Sequence, residues 1–239
     1  LVTFGSDSSI ISGNDASSAF VALYSEADAN QNTNGTTTLT SKISNLDDKP
    51  TGSTQIDLGM NNAKSIMDAN PVSSNEKRNR IVVVFTDGYP TSSNGFKQKV
   101  ADSAIGTAKS LKDSGTTVYT IGIFTGADIN ELYGSSDGNI NSTWNSSSTG
   151  ICDGNDAAAN RFLNYLSSNF KAATSLGLSQ STIEGWWSKY YQYKITSTFD
   201  RDSSKYYMTA SNQAELNNIF ETISNDVITG GTTVELDQT

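Results

Sequence analysis

The stretch between residues 81 and 124 constrains the fold more than any other part of the chain. Ile81-Val82-Val83-Val84-Phe85 is an unbroken apolar run that ends on Thr86-Asp87-Gly88, and it reads as a strand buried on both faces, as in a parallel sheet. Val100, Ala104, Ala108 and Leu111 then recur along one face of a helix that Gly115 closes, and residues 117–124 form a second buried strand. Strand, helix and strand at this spacing require a right-handed crossover between parallel neighbours. The expected fold class is therefore α/β, with an open, doubly wound, mostly parallel sheet.

The flanking segments extend the same pattern. Leu1-Val2-Thr3-Phe4 is a β-prone apolar run that reads as a strand cut from something longer. Residues 5–38 are polar and rich in Ser, Asn, Asp and Gly, with an apolar patch at 19–23 that suits a short strand or a helical turn, and residues 39–46 suit a short edge strand and helix. Ile56, Met60, Ala63 and Met67 mark an amphipathic helix that stops before Asn70-Pro71. Towards the far end, residues 206–209 form a short strand. Leu216, Ile219, Phe220, Ile223 and Val227 mark a closing helix that begins near Ser211-Asn212 and ends before Gly230-Gly231.

Residues 126–204 interrupt this plan with a connection far longer than usual, so they are expected to be functional or a subdomain. Their Asn- and Ser-rich first part, to residue 149, reads as a solvent loop. Residues 157–170 look helical, and Trp186, Trp187, Tyr190, Tyr191 and Tyr193 form a dense aromatic cluster. That cluster is read either as the insertion's own small core or as an exposed platform for a glycan or protein ligand. The resulting domain plan is 1–125 with 205–228, an inserted region at 126–204, and a linker at 229–239 leading to a following module.

Composition narrows the chemistry. The chain has no histidine, which removes every His-dependent triad and the commonest metal ligand. Cys152 is the single cysteine, so thiolate zinc sites, iron–sulfur clusters and internal disulfides are excluded from this chain alone. Any metal must be held by oxygen. With 25 acidic against 16 basic residues the net charge is −9, which disfavours nucleic acid and anionic lipid. No apolar run reaches the roughly 18 residues of a membrane span, and no apolar stretch with a basic flank opens the chain. No carboxylate pair falls at a spacing recognisable for glycoside hydrolysis, so no enzyme is expected.

Two residues stand out as candidate ligands. Asp87 follows the strand at 81–85, and in open α/β sheets ligands sit at the carboxyl ends of strands. Asp87-Gly88 also reads as a plain turn. Thr54, in Gly52-Ser53-Thr54, opens a helix, with Asp57 three residues on as an approximate capping box. Ser53 or Thr54 is then a helix cap, a role compatible with facing a metal. Converging hydroxyl and carboxylate oxygens suit a hard divalent cation such as Mg²⁺, Mn²⁺ or Ca²⁺.

In combination these pieces resemble a known family. Leu1-Val2-Thr3-Phe4, Gly52-Ser53-Thr54 opening a helix, the run into Thr86-Asp87-Gly88, the strand Val118-Tyr119-Thr120-Ile121-Gly122-Ile123, and residues 206–210 before the Asn212-led helix are similar, in that order, to the von Willebrand factor A domain. Asn160-Arg161-Phe162-Leu163 with Ser167-Ser168-Asn169-Phe170, and Thr232-Thr233-Val234-Glu235-Leu236, resemble the A domains of Gram-positive wall-anchored surface and pilus-associated proteins. The resemblance implies a metal-ion-dependent adhesion site holding Mg²⁺ or a similar cation, with an open position for an acidic group of a partner. Thr54 carries over as the threonine ligand and Asp87 as the aspartate ligand.

One part of the family pattern is missing. Asp-x-Ser-x-Ser has no counterpart, because Asp7-Ser8-Ser9 and Asp15-Ala16-Ser17-Ser18 fail in spacing and position. In the order 3-2-1-4-5-6 strand 1 is central, and this chain reads as beginning with strand 2. Either the first strand and helix belong to a longer protein, or strands 2 and 4 pair directly. Weak or absent cation binding by these 239 residues follows. The leading expectation is an extracellular adhesion module on a bacterial wall or pilus, contacting a host or matrix protein or glycan, with Trp186, Trp187, Tyr190 and Tyr191 as further ligand contacts. A structural spacer or pilus assembly module, joined to neighbouring domains and carrying a vestigial metal site, is the alternative.

Overall fold

The computed structural model describes residues 1–20, 41–46, 52–73, 78–86, 90–92, 95–132, 139–141, 156–184 and 189–230. Its centre is a parallel sheet of three strands, β3 (Ile81–Thr86), β6 (Thr117–Gly122) and β10 (Tyr207–Thr209), in the order β10-β6-β3. The register is unbroken from Ile81 opposite Thr117 to Thr86 opposite Gly122. The expected strand-helix-strand unit is present, with α2 (Gln98–Asp113) as its crossover. Val100, Ala104, Ala108 and Leu111 of α2 are all buried, and Gly115, just past the helix, takes φ +81°, a conformation that costs glycine little.

Helices cover both faces, as in a doubly wound sheet. On one face α1 (Ile56–Ala69), α2 and α3 (Asp156–Leu166) enclose Val82, Val84 and Val118 in the main core. On the other, Ile219 and Ile223 of α4 (Gln213–Gly230) pack on Tyr119 and Ile121. The start of α4 matches its sequence signal. Asn212 Oδ1 accepts the Glu215 amide at 3.0 Å and the Glu215 carboxylate accepts the Ser211 amide at 2.7 Å, a reciprocal cap.

Two burial expectations need correction. β3 is buried on one face only, since Val83 and Phe85 are 39% and 42% exposed. Phe220 and Val227 of α4 also face outward. The reason is width: one helix, about 10 Å across, spans roughly two strand spacings and here sits over the middle strand β6, leaving the outer face of β3 uncovered.

β1 (Val2–Phe4) and β2 (Ser8–Ile10) form a separate antiparallel pair, with Val2 opposite Ile10. Direct pairing of the first strand with β3 does not occur. An apolar groove of about 230 Å³ lies between them instead, lined by Leu1, Val2 and Phe4, by Met60 and Met67 of α1, and by residues 81–84. Among the described residues no strand pairs with the outer edge of β3.

Elements that the sequence reading did not resolve fill the rest. β4 (Thr91–Ser92) and β5 (Gly95–Phe96) make a short hairpin. β7 (Asn139–Asn141), β8 (Leu178–Glu184) and β9 (Lys189–Ile195) form an antiparallel sheet in the order β7-β9-β8. Tyr193 of β9 joins the main core rather than a separate one, alongside Phe162 and Leu166 of α3.

Helix α3 is buried on every side from Ala157 to Leu166, polar residues included. Its polar atoms are therefore partnered inside the protein. Arg161 donates to the carbonyls of Leu176 at 2.7 Å, Leu132 at 3.0 Å and Ser197 at 2.8 Å. Asn164 donates to Ile129 O at 3.1 Å, and Thr120 Oγ1 of β6 donates to Leu163 O at 3.0 Å. The residues Asn160-Arg161-Phe162-Leu163, distinctive in the sequence, thus lock this region to the central sheet.

Candidate functional site

The candidate site is assembled at the carboxyl end of the sheet. The carboxyl end of α1 leads on to the start of β3, so α1 runs back along the sheet and its amino end lies near the carboxyl end of β3. Fourteen helical residues at about 1.5 Å and six strand residues at about 3.3 Å have matching lengths of roughly 20 Å. Thr54 sits just before this helix end and is partly buried.

The segment carrying Thr54 is fastened to the turn after β1. The Ser53 amide donates to Ser6 Oγ at 3.1 Å, the Gln55 amide to Gly5 O at 3.0 Å, and Gln55 Nε2 to Ser6 O at 2.5 Å. Gly52 takes φ +110°, and a Cβ there would lie 2.2 Å from Ser6 Oγ, so only glycine fits the approach. The Gly5-Ser6 turn is a part of the site that sequence reasoning missed. Its signal was faint: small residues after a short strand.

The expected capping box does not form. Gln55, not Ser53 or Thr54, is the cap residue of α1, and its side chain makes no capping hydrogen bond among the described residues. The two backbone and side-chain bonds that tie Gln55 to the β1–β2 turn fix it as the boundary. Asp57, in the first turn of α1, keeps Oδ1 buried and without a hydrogen-bond partner among the described residues. Burying such an oxygen costs about 1–3 kcal/mol unless something compensates it.

The other candidates divide. Asp87 follows Thr86, the last residue of β3, and lies outside the described residues, as do Trp186, Trp187 and Cys152. Tyr190 and Tyr191 lie in β9, opposite Ile183 and Thr182. Asp15, whose surroundings superficially echo the missing metal motif, is spent on a local turn: its Oδ1 accepts Ser17 Oγ at 2.7 Å and the Ser18 amide at 3.0 Å, bonds that lower its pKa.

Behind this edge, Tyr207 of β10 donates its phenol to Asn160 Oδ1 at 2.6 Å. Asn160 Oδ1 also accepts the Asp128 amide at 2.9 Å, and its Nδ2 donates to Gly126 O at 2.9 Å. Burial, and then the charges of Asp128 and Asp156, hold the Tyr207 phenol well above its usual range.

The Thr54 hydroxyl and the partnerless Asp57 oxygen are hard donors of the type Mg²⁺ prefers, and they lie in one turn of chain. Two such oxygens fall short of a coordination shell. Among the described residues no group of three Asp, Glu, Cys or His is placed to hold a metal ion.

Residues 11–150 match the model of the von Willebrand factor type A domain, over more than half of the 239-residue chain. No curated protein matches, and no solved structure matches. Domains of the matched type often mediate adhesion or protein–protein interaction and commonly hold a divalent metal ion. The parallel sheet clothed by helices on both faces agrees with the match, and the chain belongs to the von Willebrand factor type A domain family.

Proposed function

We propose that the chain is an adhesion module that binds an acidic group of its partner through a divalent cation held at the carboxyl edge of the sheet. Thr54 and Asp87 are the ligands assigned to that cation, Mg²⁺ or else Mn²⁺ or Ca²⁺. The observation that carries the reading is the way Thr54 is presented: its segment is bonded at three points to the Gly5-Ser6 turn, and the capping role at α1 falls to Gln55. When bound, the cation would supply an open coordination position for the partner's carboxylate.

The partner in this proposal is a host or matrix protein or a glycan, with Trp186, Trp187, Tyr190 and Tyr191 as further contacts. The setting is the wall or pilus of a Gram-positive bacterium, with neighbouring domains of the same surface protein among the partners. That setting rests on the resemblance of Asn160-Arg161-Phe162-Leu163 and Ser167-Ser168-Asn169-Phe170 to wall-anchored A domains. No catalytic step is included. No helix among the described residues is long and apolar enough to cross a membrane.

The test is calorimetry of Mg²⁺ and Mn²⁺ into the chain, into a version extended upstream by a strand and a helix, and into Asp87→Ala and Thr54→Ala forms of each. Saturable binding, weak in the chain and tighter in the extended version, with loss in both variants, is the expected result. If neither form binds, the adhesion site is vestigial. The absence of Asp-x-Ser-x-Ser would then favour the second reading, a spacer or pilus assembly module.

A further inference from the structure

We propose a second site at the opposite end of the sheet: a pocket for the carboxylate of a small acid, built around Arg80. The parallel strands bring their amino ends together there. Arg80 directly precedes β3, and its carbonyl accepts the Thr117 amide at the start of β6 at 2.9 Å. Tyr206 directly precedes β10, and its carbonyl accepts the Thr120 amide at 2.8 Å. Between these ends lies a cavity of about 230 Å³, lined by Arg78, Arg80, Tyr119, Lys205, Tyr206 and Asp226 among others. β3 is six residues long, so this cavity is roughly 16–20 Å from the edge that carries Thr54.

Arg80 is the feature that asks for a ligand. Its Nε and Nη2 are both buried and neither has a hydrogen-bond partner among the described residues. A guanidinium cannot shed its charge to relieve that state, as a buried lysine can. The one carboxylate among the described lining residues is already engaged elsewhere: Asp226 Oδ2 accepts the Tyr119 hydroxyl at 3.0 Å and faces Lys205 Nζ at 3.4 Å. Among the described residues that line the pocket, Arg78, Arg80 and Lys205 stand against the single carboxylate of Asp226, on a chain whose net charge is −9.

The chemistry favours a monoanion with two oxygens in a plane. An arginine fork presents parallel N–H groups at the spacing of a carboxylate, and such charge-assisted pairs are the strong ones. Asp226 adds a negative charge beside the pocket that penalises a dianion such as phosphate more than a carboxylate. Tyr119 and Tyr206, edge to face at 5.1 Å between ring centres, supply an aromatic wall for the rest of a small acid.

The experiment is a titration of the whole 239-residue chain, followed by the side-chain Nε–H resonance of arginine, with sodium acetate, sodium phosphate and sodium chloride at equal ionic strength. The Arg80 signal should move saturably with acetate and at least about tenfold less readily with chloride, with phosphate the weaker of the two oxyanions. Arg80→Lys, followed by calorimetry, should weaken acetate binding about tenfold or more. Asp226→Asn keeps the acceptor for Tyr119 and removes the opposing charge, so it should tighten acetate and phosphate several-fold. Acetate acting no differently from chloride overturns the site, as does unchanged affinity in both variants. Phosphate binding more tightly than acetate overturns the carboxylate assignment. Circular dichroism of each variant separates loss of the pocket from loss of the fold, and Asp226→Asn tests the site even if Arg80→Lys does not fold.

Discussion

Tyr207 on β10 and Asn160 on α3 meet through a 2.6 Å hydrogen bond with both residues buried. It joins the last strand of the sheet to the helix of the long inserted segment. Asn160 in turn holds the Asp128 amide and the Gly126 carbonyl, so one side chain fixes the loop that follows β6.

Replacing Tyr207 by Phe should therefore lower stability by about 1–2 kcal/mol in urea unfolding, the usual cost of removing one partner of a buried hydrogen bond. The pH dependence has a definite sign. The folded phenol's pKa is raised by burial, so its contribution is complete below the unfolded value near 10 and is lost as the pH climbs above it. Stability measured from pH 9 to 11 should fall more steeply in the native chain than in Tyr207→Phe.

Lys112 behaves in the opposite sense. Its Nζ lies within hydrogen-bond distance of the carbonyls of Tyr165 at 3.0 Å, Ser167 at 3.1 Å and Phe170 at 2.8 Å, closing the end of α3. Burial, helped by the charge of Lys109, draws its pKa down to about 7. Folding thus favours the neutral amine: the contribution is present above the unfolded value near 10.5 and is lost as the pH falls towards 7. The native chain should gain stability between pH 7 and 9 relative to Lys112→Met, and at pH 9 the variant should be the less stable because the carbonyls at the end of α3 lose their donor. Denaturant midpoints at each pH check both statements.

Arg161 is the most demanding of the buried groups. It is fully buried, donates to three carbonyls, and lies with its guanidinium carbon 4.6 Å from the centre of the Tyr165 ring. Arg161→Met should cost about 3 kcal/mol or more, since each of three buried carbonyls left without its donor costs about 1–3 kcal/mol less what the removed charge regains. Arg161→Lys should cost less, since an ammonium keeps the charge and some of the bonds. An unfolding midpoint unchanged in Arg161→Met would contradict this role.

Gly52 offers a test of the site that touches no proposed ligand. Gly52→Ala forces a side chain into φ +110° and onto Ser6 Oγ, so it should destabilise by about 1–3 kcal/mol. If the fastening of the Thr54 segment matters for cation binding, calorimetry should show Mn²⁺ affinity falling in Gly52→Ala while Gly115→Ala, which meets no atom within 4 Å, leaves it unchanged.

The parts of this fold that were legible in the sequence are those where burial and period agree. α1, α2, β6 and the start of α4 follow from apolar spacing and from Gly115 and Asn212, because one helix face or both strand faces are buried. β3 misled, since an all-apolar run does not say whether a helix covers its second face, and Val83 and Phe85 lack one. β8 and β9 were not found because residues 178–184 carry only weak alternation and the aromatic residues beyond them suggested a cluster rather than a strand. Thr54 was legible as a hydroxyl at a helix start, but not its fastening to Ser6, which spans 47 residues of sequence. Arg161 reads as a surface arginine until the three carbonyls around it are known.

The groove between β1 and β3 has a practical consequence for anyone who follows this protein by fluorescence. Lined by Val2, Phe4, Met60 and Met67 and open to solvent, it is the type of apolar recess that environment-sensitive dyes such as anilinonaphthalene sulfonate enter. Dye emission is ordinarily read as a sign that tertiary packing has loosened. Here the fully packed chain should brighten the dye on its own, so loss of packing is better tracked by near-ultraviolet dichroism of the tyrosines at 119, 165 and 207.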